Sequence, residues 1–198
     1  GVVGTAIAIA VIVLAPVAAL VAASVRAAGG WTLQWWQGLG SVDAGTTRIG
    51  SPLSALATSL TFAVLTALIA AVIGGLAAVA VLAPGRTRLV SVLAIVPLGV
   101  SAATLGLGIL LAFGRPPVDL RATGLLVPLA HSLVAVPLVV AVVAPALRSN
   151  DARRMAVAAT LGAAPTRAFL TAYGSVLRMV MLASAALAGA VSLGEFGA

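Results

Sequence analysis

Long apolar runs without any charged side chain constrain this chain more than any other feature. Residues 2–25 and 49–85 contain no Asp, Glu, Lys or Arg. About 20 apolar residues in a helix cross the roughly 30 Å hydrocarbon core of a bilayer. Backbone polar groups in lipid must be paired within the segment, and a membrane β-barrel would show alternating residues instead. The runs therefore predict an all-α, polytopic transmembrane helical bundle.

The chain offers five segments long enough to be spans. The five predicted spans cover residues 3–25, 56–82, 89–113, 124–147 and 176–193. Only 8% of the residues are charged, against about 25% in soluble domains, so residues 1–198 are interpreted as one transmembrane domain. Residues 1–25 lack the basic start and the short apolar region of a signal peptide. Since the sequence lacks an initiator Met and stops after an apolar run, we expect a fragment.

Arginine distribution predicts the orientation of the spans. The segments between spans alternate between two groups, one with 4 Arg and 2 acidic residues and the other with 7 Arg and 1 acidic residue. Cytoplasmic loops carry the excess of basic residues. The second group, which includes residues 148–175, is therefore predicted to be cytoplasmic, and the first span is predicted to run from inside to outside.

Missing residue types exclude several kinds of chemistry. All 11 basic side chains are Arg and there is no Cys. Without Lys there is no P-loop for ATP, and without Cys there is no disulfide, Cys-based zinc site or thiol nucleophile. His131 is the only histidine and is expected to pack inside the bundle with a ring nitrogen hydrogen-bonded. We expect no enzymatic activity and no cofactor or metal.

The predicted inner loop at residues 148–175 carries helix start and stop signals. Asn150 or Asp151 can cap a helix over residues 155–161, Gly162 can end it, and Pro165 can start the next helix at its first turn. These signals predict two short helices that meet at a glycine turn, flanked by Arg. Such a cytoplasmic protrusion is suited to contact with a soluble partner.

The sequence around that turn resembles a known family. Leu161-Gly162-Ala163, Pro165 and Arg167-Ala168-Phe169 resemble the cytoplasmic "EAA" loop of ABC importer permeases. The Glu-Ala-Ala of that pattern corresponds to Ala156-Val157-Ala158 here, its later aliphatic residue to Ala172, and its Leu-Pro to Gly174-Ser175. Without the Glu, any salt bridge that the family makes from that position has no counterpart, whereas the glycine turn and the apolar face are retained.

The resemblance implies a role for the loop as the coupling helix that docks into a groove of an ATPase subunit. The residues that it marks as ATPase-coupling are Arg153, Arg154, Ala158, Leu161, Gly162, Ala163, Pro165, Arg167 and Phe169. The three Arg are expected to face an acidic surface of the ATPase. The whole chain is then a type I ABC importer permease-like domain with its coupling loop at about residues 148–175.

A second similarity points to one branch of the ABC importer permeases. Residues 192–198 are similar to the segment after the loop in permeases for thiamine, ferric iron and molybdate, and residues 97–108 look like the thiamine and iron branch. The similarity covers residues 51–198. It implies a multi-pass protein of a bacterial inner membrane, paired with a second permease half or subunit, an ATPase subunit and an extracytoplasmic solute-binding protein. Thiamine and ferric iron are favoured as substrates; molybdate, sulfate and phosphonates stay open.

Glu195 is the only acidic residue in or beside an apolar span. An ionisable residue within a membrane span is a candidate for a substrate or ion pathway. Gly194, Glu195 and Phe196 are therefore expected to line the translocation pathway. The alternative for Glu195 is a solvated or Arg-paired residue at the end of the span. The alternative function is an ATP-independent secondary transporter or channel, which internal repeats with charged, broken helices would favour. Spans one to four show no such repeat.

Overall fold

The computed structural model describes residues 1–27, 29–40, 51–81, 92, 94–148 and 153–195. The helices among them are α1 (Val2–Ser24), α2 (Gln34–Gln37), α3 (Pro52–Ala80), α4 (Ala102–Phe113), α5 (Leu126–Arg148), α6 (Arg153–Thr160) and α7 (Pro165–Gly194). Two short antiparallel hairpins pair β1 (Arg26–Ala27) with β2 (Gly30–Trp31) and β3 (Gly114–Arg115) with β4 (Val118–Asp119). The predicted helical bundle is confirmed: α1, α3, α5 and α7 are each long and apolar enough to cross a membrane.

The chain divides into two compact units, residues 1–58 and 59–198. In the first unit no side chain of α1 is buried. Three exposed tryptophans surround the end of this helix. The indole N–H of Trp36 donates to the carbonyl of Ser24 at 3.2 Å, and that of Trp35 donates to the carbonyl of Arg26 at 3.1 Å. The Arg26 guanidinium stacks 4.7 Å from the ring of Trp31. The bond from Trp36 satisfies a carbonyl that the end of α1 leaves unpaired.

The second unit is organised around α5, which is the most buried of the long helices and packs against α4 and α7. The buried residues of α7 recur on one face of the helix and are mostly small: Ala168, Ala172, Tyr173, Val180, Ser184, Ala188 and Ser192. Those of α3 are likewise small: Ala63, Thr66, Ala70, Gly74, Gly75 and Ala78. Without a strong hydrophobic driving force in lipid, small residues allow the close van der Waals contact that holds helices together.

The third predicted span is interrupted, which corrects the expectation of one helix over residues 89–113. Residues 94–95 are helical, but a 3-10 turn follows at Val96–Gly99 and Val100 is extended. Pro97 lacks the N–H that a continuous helix needs. Ser101 then caps α4 by accepting the N–H of Thr104 at 3.3 Å. The 12 residues of α4 span about 18 Å, which is too short to cross the hydrocarbon alone.

The inner loop predicted to extend to residue 175 is shorter in the structure than the sequence predicted. The second helix after the glycine turn is not short, because it continues from Pro165 through Gly194 as one 30-residue helix. The segment that was assigned to the loop, residues 165–175, is the first part of α7. The segment contains the good helix formers Ala, Leu and Arg, and Gly174, a weak helix former, lies inside the helix without ending it. The predicted cap residues Asn150 and Asp151 lie outside the described residues.

Candidate functional site

The turn between α6 and α7 has the hydrogen bonds of a Schellman motif. Gly162 adopts a left-handed conformation with φ of 83°. Its N–H donates to the carbonyl of Ala159 at 3.0 Å, and the N–H of Ala163 donates to the carbonyl of Ala158 at 3.0 Å. Both bonds satisfy carbonyls at the end of α6. The predicted helix stop at Gly162 is therefore confirmed as a feature of the backbone.

Pro165 occupies the first helical position of α7, as predicted. Its fixed φ suits a helix start, and its missing N–H would have no partner there in any case. The preceding residue, Ala164, is extended with ψ of 151°, and its carbonyl accepts the N–H of Ala168 at 2.9 Å. The connection between α6 and α7 is therefore only four residues long, 161–164.

The predicted coupling residues fall into an inner and an outer set. Beside them, Ala168 of the same motif is 2% exposed. Phe169 is half-buried, packs against the core cluster and has its ring 5.0 Å from that of Tyr173. Ala158 and Ala163 are partly buried. The outer set is exposed: Arg153, Arg154, Leu161, Gly162, Pro165 and Arg167.

A groove between α6 and the start of α7 has a volume of about 480 Å³. It is lined by Arg153, Arg154, Val157, Ala158, Leu161 and Thr171. Leu161 is 82% exposed and Val157 is 57% exposed, so the apolar side chains of the groove face outward without cover. Two guanidiniums at one end of an apolar surface suit a partner that presents apolar side chains beside carboxylates.

The helix α7 is longer than one membrane crossing requires. Thirty residues extend about 45 Å, whereas the hydrocarbon core is about 30 Å thick. About ten residues of α7 are therefore in excess of one crossing. The glycine turn and Gly194 are joined by this one continuous helix.

The predicted pathway residues lie at the opposite end of α7. Gly194 is its last residue, and Glu195 follows as a half-buried residue with extended backbone. Phe196 lies outside the described residues. A role for these residues in a pathway stays a prediction.

Three buried polar side chains near that end were not predicted to form a cluster. His131, Ser192 and Thr66 come from α5, α7 and α3, and each is at most 6% exposed. The Nδ1 of His131 lies 2.8 Å from the Oγ of Ser192, which confirms the expectation of a packed, hydrogen-bonded histidine. Isolated Ser and Thr residues within apolar spans were the available signal, because such residues form hydrogen bonds between helices.

Among the described residues, no three or more His, Cys, Asp or Glu side chains are grouped so that they could hold a metal ion. Comparison with protein-family models and with curated proteins finds no match to this chain. The fold and its long apolar helices define a multi-pass helical membrane protein. Its activity is therefore inferred from the surfaces described above.

Proposed function

We propose that this chain is the permease subunit of an ATP-binding-cassette importer and couples to a separate ATPase through α6, the glycine turn and the start of α7. The observation that carries this proposal is the continuity of α7. An outward-facing, apolar and basic surface on α6 and the glycine turn leads, after only four residues, into a helix that is long enough to cross a membrane. An element of this kind can convert the movement of a bound soluble partner into movement of a span.

The mechanism that follows is mechanical rather than chemical. ATP binding would close the ATPase dimer and shift the surface around Leu161, and α7 would carry that shift toward Glu195. A two-state bundle needs only a few kcal/mol of differential contact to change its favoured state. The bundle would then alternate between inward-facing and outward-facing states, with a second permease half or subunit completing the pathway in a bacterial inner membrane.

The resemblance of residues 192–198 and 97–108 to the thiamine and ferric iron branch supports one of these as the substrate. An extracytoplasmic solute-binding protein would deliver it. Glu195 carries the negative charge expected beside a pathway for a cationic solute.

Binding to the neighbouring ATPase tests the proposal. The full chain is co-expressed with a candidate ATP-binding-cassette ATPase subunit from the same genome, reconstituted in lipid nanodiscs, and assayed for co-purification and ATP turnover. Leu161→Asp places a carboxylate on a side chain that is 82% exposed, so we expect normal insertion with loss of ATPase binding. Leu161→Met is the matched control, because it keeps the apolar surface, and it should retain both binding and turnover.

Phe169 is a poor site for this test, although it belongs to the predicted coupling set. Its ring packs against Tyr173 and the core cluster, so a charge there would disturb folding as well as docking. If the ATPase never binds the native chain, or binds the Leu161→Asp variant equally well, the importer proposal fails. Solute flux by the chain alone, without ATP, would instead support a secondary transporter or channel.

A further inference from the structure

Three polar side chains from three helices are buried together in the second unit. They are Thr66 of α3, His131 of α5 and Ser192 of α7, and none of them is more than 6% exposed. The Oγ of Ser192 lies 2.8 Å from the Nδ1 of His131 and 3.3 Å from the Oγ1 of Thr66. The Oγ1 of Thr66 lies 3.4 Å from the carbonyl oxygen of Pro128. These contacts form one chain of hydrogen bonds that ends at the imidazole.

The direction of this chain determines which ring nitrogen of His131 carries the proton in the neutral imidazole. A carbonyl oxygen only accepts, so the single hydroxyl proton of Thr66 is directed to Pro128. Ser192 then donates its own proton to Thr66, and its oxygen accepts the bond from His131. The Nδ1 atom is therefore the donor, and Nε2 has a free lone pair and no proton.

The Nε2 atom of His131 is an acceptor at the edge of accessible space. Within the described residues, the hydrogen bond of the imidazole is the one between Nδ1 and Ser192. Yet no fully buried side-chain nitrogen or oxygen in the described part of the chain lacks a partner. It follows that Nε2 is not fully buried, because it would otherwise be such an atom. It borders space that a water molecule can reach.

The polarity of Nε2 indicates what kind of space this is. The helix α5 is the most buried of the long helices, and ionisable side chains within spans face the bundle interior or a water-filled cavity. An acceptor that faced hydrocarbon instead would lose its hydrogen bond to water, at a cost of roughly 1–3 kcal/mol. One turn earlier on α5, Val127 and the nearby Ala130 line a groove of about 360 Å³ between α4 and α5.

We propose that the Nε2 of His131 is a solute-binding atom, which accepts a hydrogen bond from an N–H or O–H group of a solute that enters the bundle. The bond from Nδ1 to Ser192 fixes the tautomer and the orientation of the ring, as a bond at one ring nitrogen does for the other. This role rests on the proposed transport of a solute. It does not depend on the ATPase and holds equally for an ATP-independent transporter.

The tautomer of His131 also discriminates between classes of solute. An oxyanion such as molybdate or sulfate offers only acceptor oxygens, which cannot bond to the lone pair of Nε2. A solute with amino or hydroxyl groups, such as thiamine, can donate to it. A site that is built to accept a hydrogen bond rejects a solute without the donor, because its own polar atom is then left unpaired. The site therefore favours donor-bearing solutes over the oxyanions that the sequence left open.

The tautomer can be measured directly, since His131 is the only histidine. The full chain is labelled with 15N-histidine and reconstituted in lipid nanodiscs at about pH 8, where an ordinary histidine is neutral. NMR should show a protonated Nδ1 and a bare Nε2. Ser192→Ala removes the acceptor of Nδ1–H and should shift the imidazole toward the Nε2-protonated form. Ser175→Ala, at an exposed position of the same helix, should not. A native imidazole protonated at Nε2 would overturn the proposal.

Carbethoxylation by diethyl pyrocarbonate measures access to Nε2, because this reagent acylates an unprotonated imidazole nitrogen. Mass spectrometry of the native chain in nanodiscs should find His131 modified. Thiamine should slow the reaction several-fold, whereas molybdate should leave its rate unchanged. A ring that reacts only after the chain is unfolded, or a rate that thiamine does not change, would refute the solute-binding role. Neither experiment contains an ATPase, so a failure of ATPase coupling would leave these results intact.

Discussion

Val139 of α5 lies against the bare backbone of Gly74 in α3, so closely that a Cβ atom on Gly74 would stand 2.7 Å from the Cβ of Val139. The carbonyl oxygen of Val136 would be 3.2 Å away. Val139 is fully buried, so it has little room to move. The crossing of α3 and α5 therefore depends on the absence of a side chain at this position.

Gly74→Ala should destabilise the bundle by about 1–3 kcal/mol, because added volume in a packed core forces neighbours to shift. Reversible unfolding in mixed micelles measures the change. Gly108→Ala is the matched control, since a Cβ there meets nothing within 4 Å and alanine favours a helix by about 1 kcal/mol.

The companion change Val139→Ala should relieve the clash only in part, because the Cβ of Val139 itself lies in the way. The double variant should therefore remain less stable than Val139→Ala alone. Equal stability of Gly74→Ala and the native chain would contradict the close crossing.

Gly162→Ala should cost about 1–2 kcal/mol through backbone strain alone, since an alanine at φ of 83° is in the left-handed region. A Cβ at Gly162 meets nothing within 4 Å, so no clash contributes. Gly174→Ala is the control, because its surroundings are equally open but it lies within α7. It should be neutral or stabilising. Limited proteolysis across the turn and the unfolding midpoint distinguish the two variants.

Ser175→Pro should uncouple the two ends of α7. Proline removes one backbone hydrogen bond of the helix and costs about 3 kcal/mol or more in a helix interior. The exposed side chain of Ser175 makes Ser175→Ala a suitable control. In the reconstituted complex we expect Ser175→Pro to keep ATPase binding but lose stimulated turnover and solute transport. Full transport by this variant would refute transmission along a rigid α7.

The hairpin before α5 has a carboxylate whose titration is set by one arginine. Hydrogen bonds from the Arg121 guanidinium and backbone N–H hold the pKa of Asp119 at about 2, below its ordinary 3.8. Because the pKa is depressed in the folded chain, this interaction is fully present above pH 3.8 and is lost as the pH falls through about 2. Arg121→Gln should raise the pKa of Asp119 toward 3.8.

Carboxyl 13C NMR of the Asp-labelled chain measures this shift. Arg115→Gln is the control, since Arg115 lies in the same hairpin, is paired with Val118 rather than Asp119, and does not contribute to the shift. A low pKa that persists in Arg121→Gln would show that another group stabilises the carboxylate.

The sequence alone determined the membrane class and the local backbone of the turn. Uncharged runs such as residues 2–25 leave few alternatives to a helix in lipid, because backbone groups there must be paired within the segment. Gly162 and Pro165 end and start helices through their own backbone preferences, which act within a few residues. Such signals are local, and the structure reproduces them.

Tertiary structure decided what local signals leave open. Arg167, Tyr173 and Arg178 are compatible with a loop or with a helix that projects from the membrane, and only packing against α5 and α6 selects one continuous α7. His131 and Ser192 are 61 residues apart, and Ser192 and Thr66 are 126 apart. Their meeting depends on how three helices pack, which is the sum of many weak contacts that no local pattern in the sequence encodes.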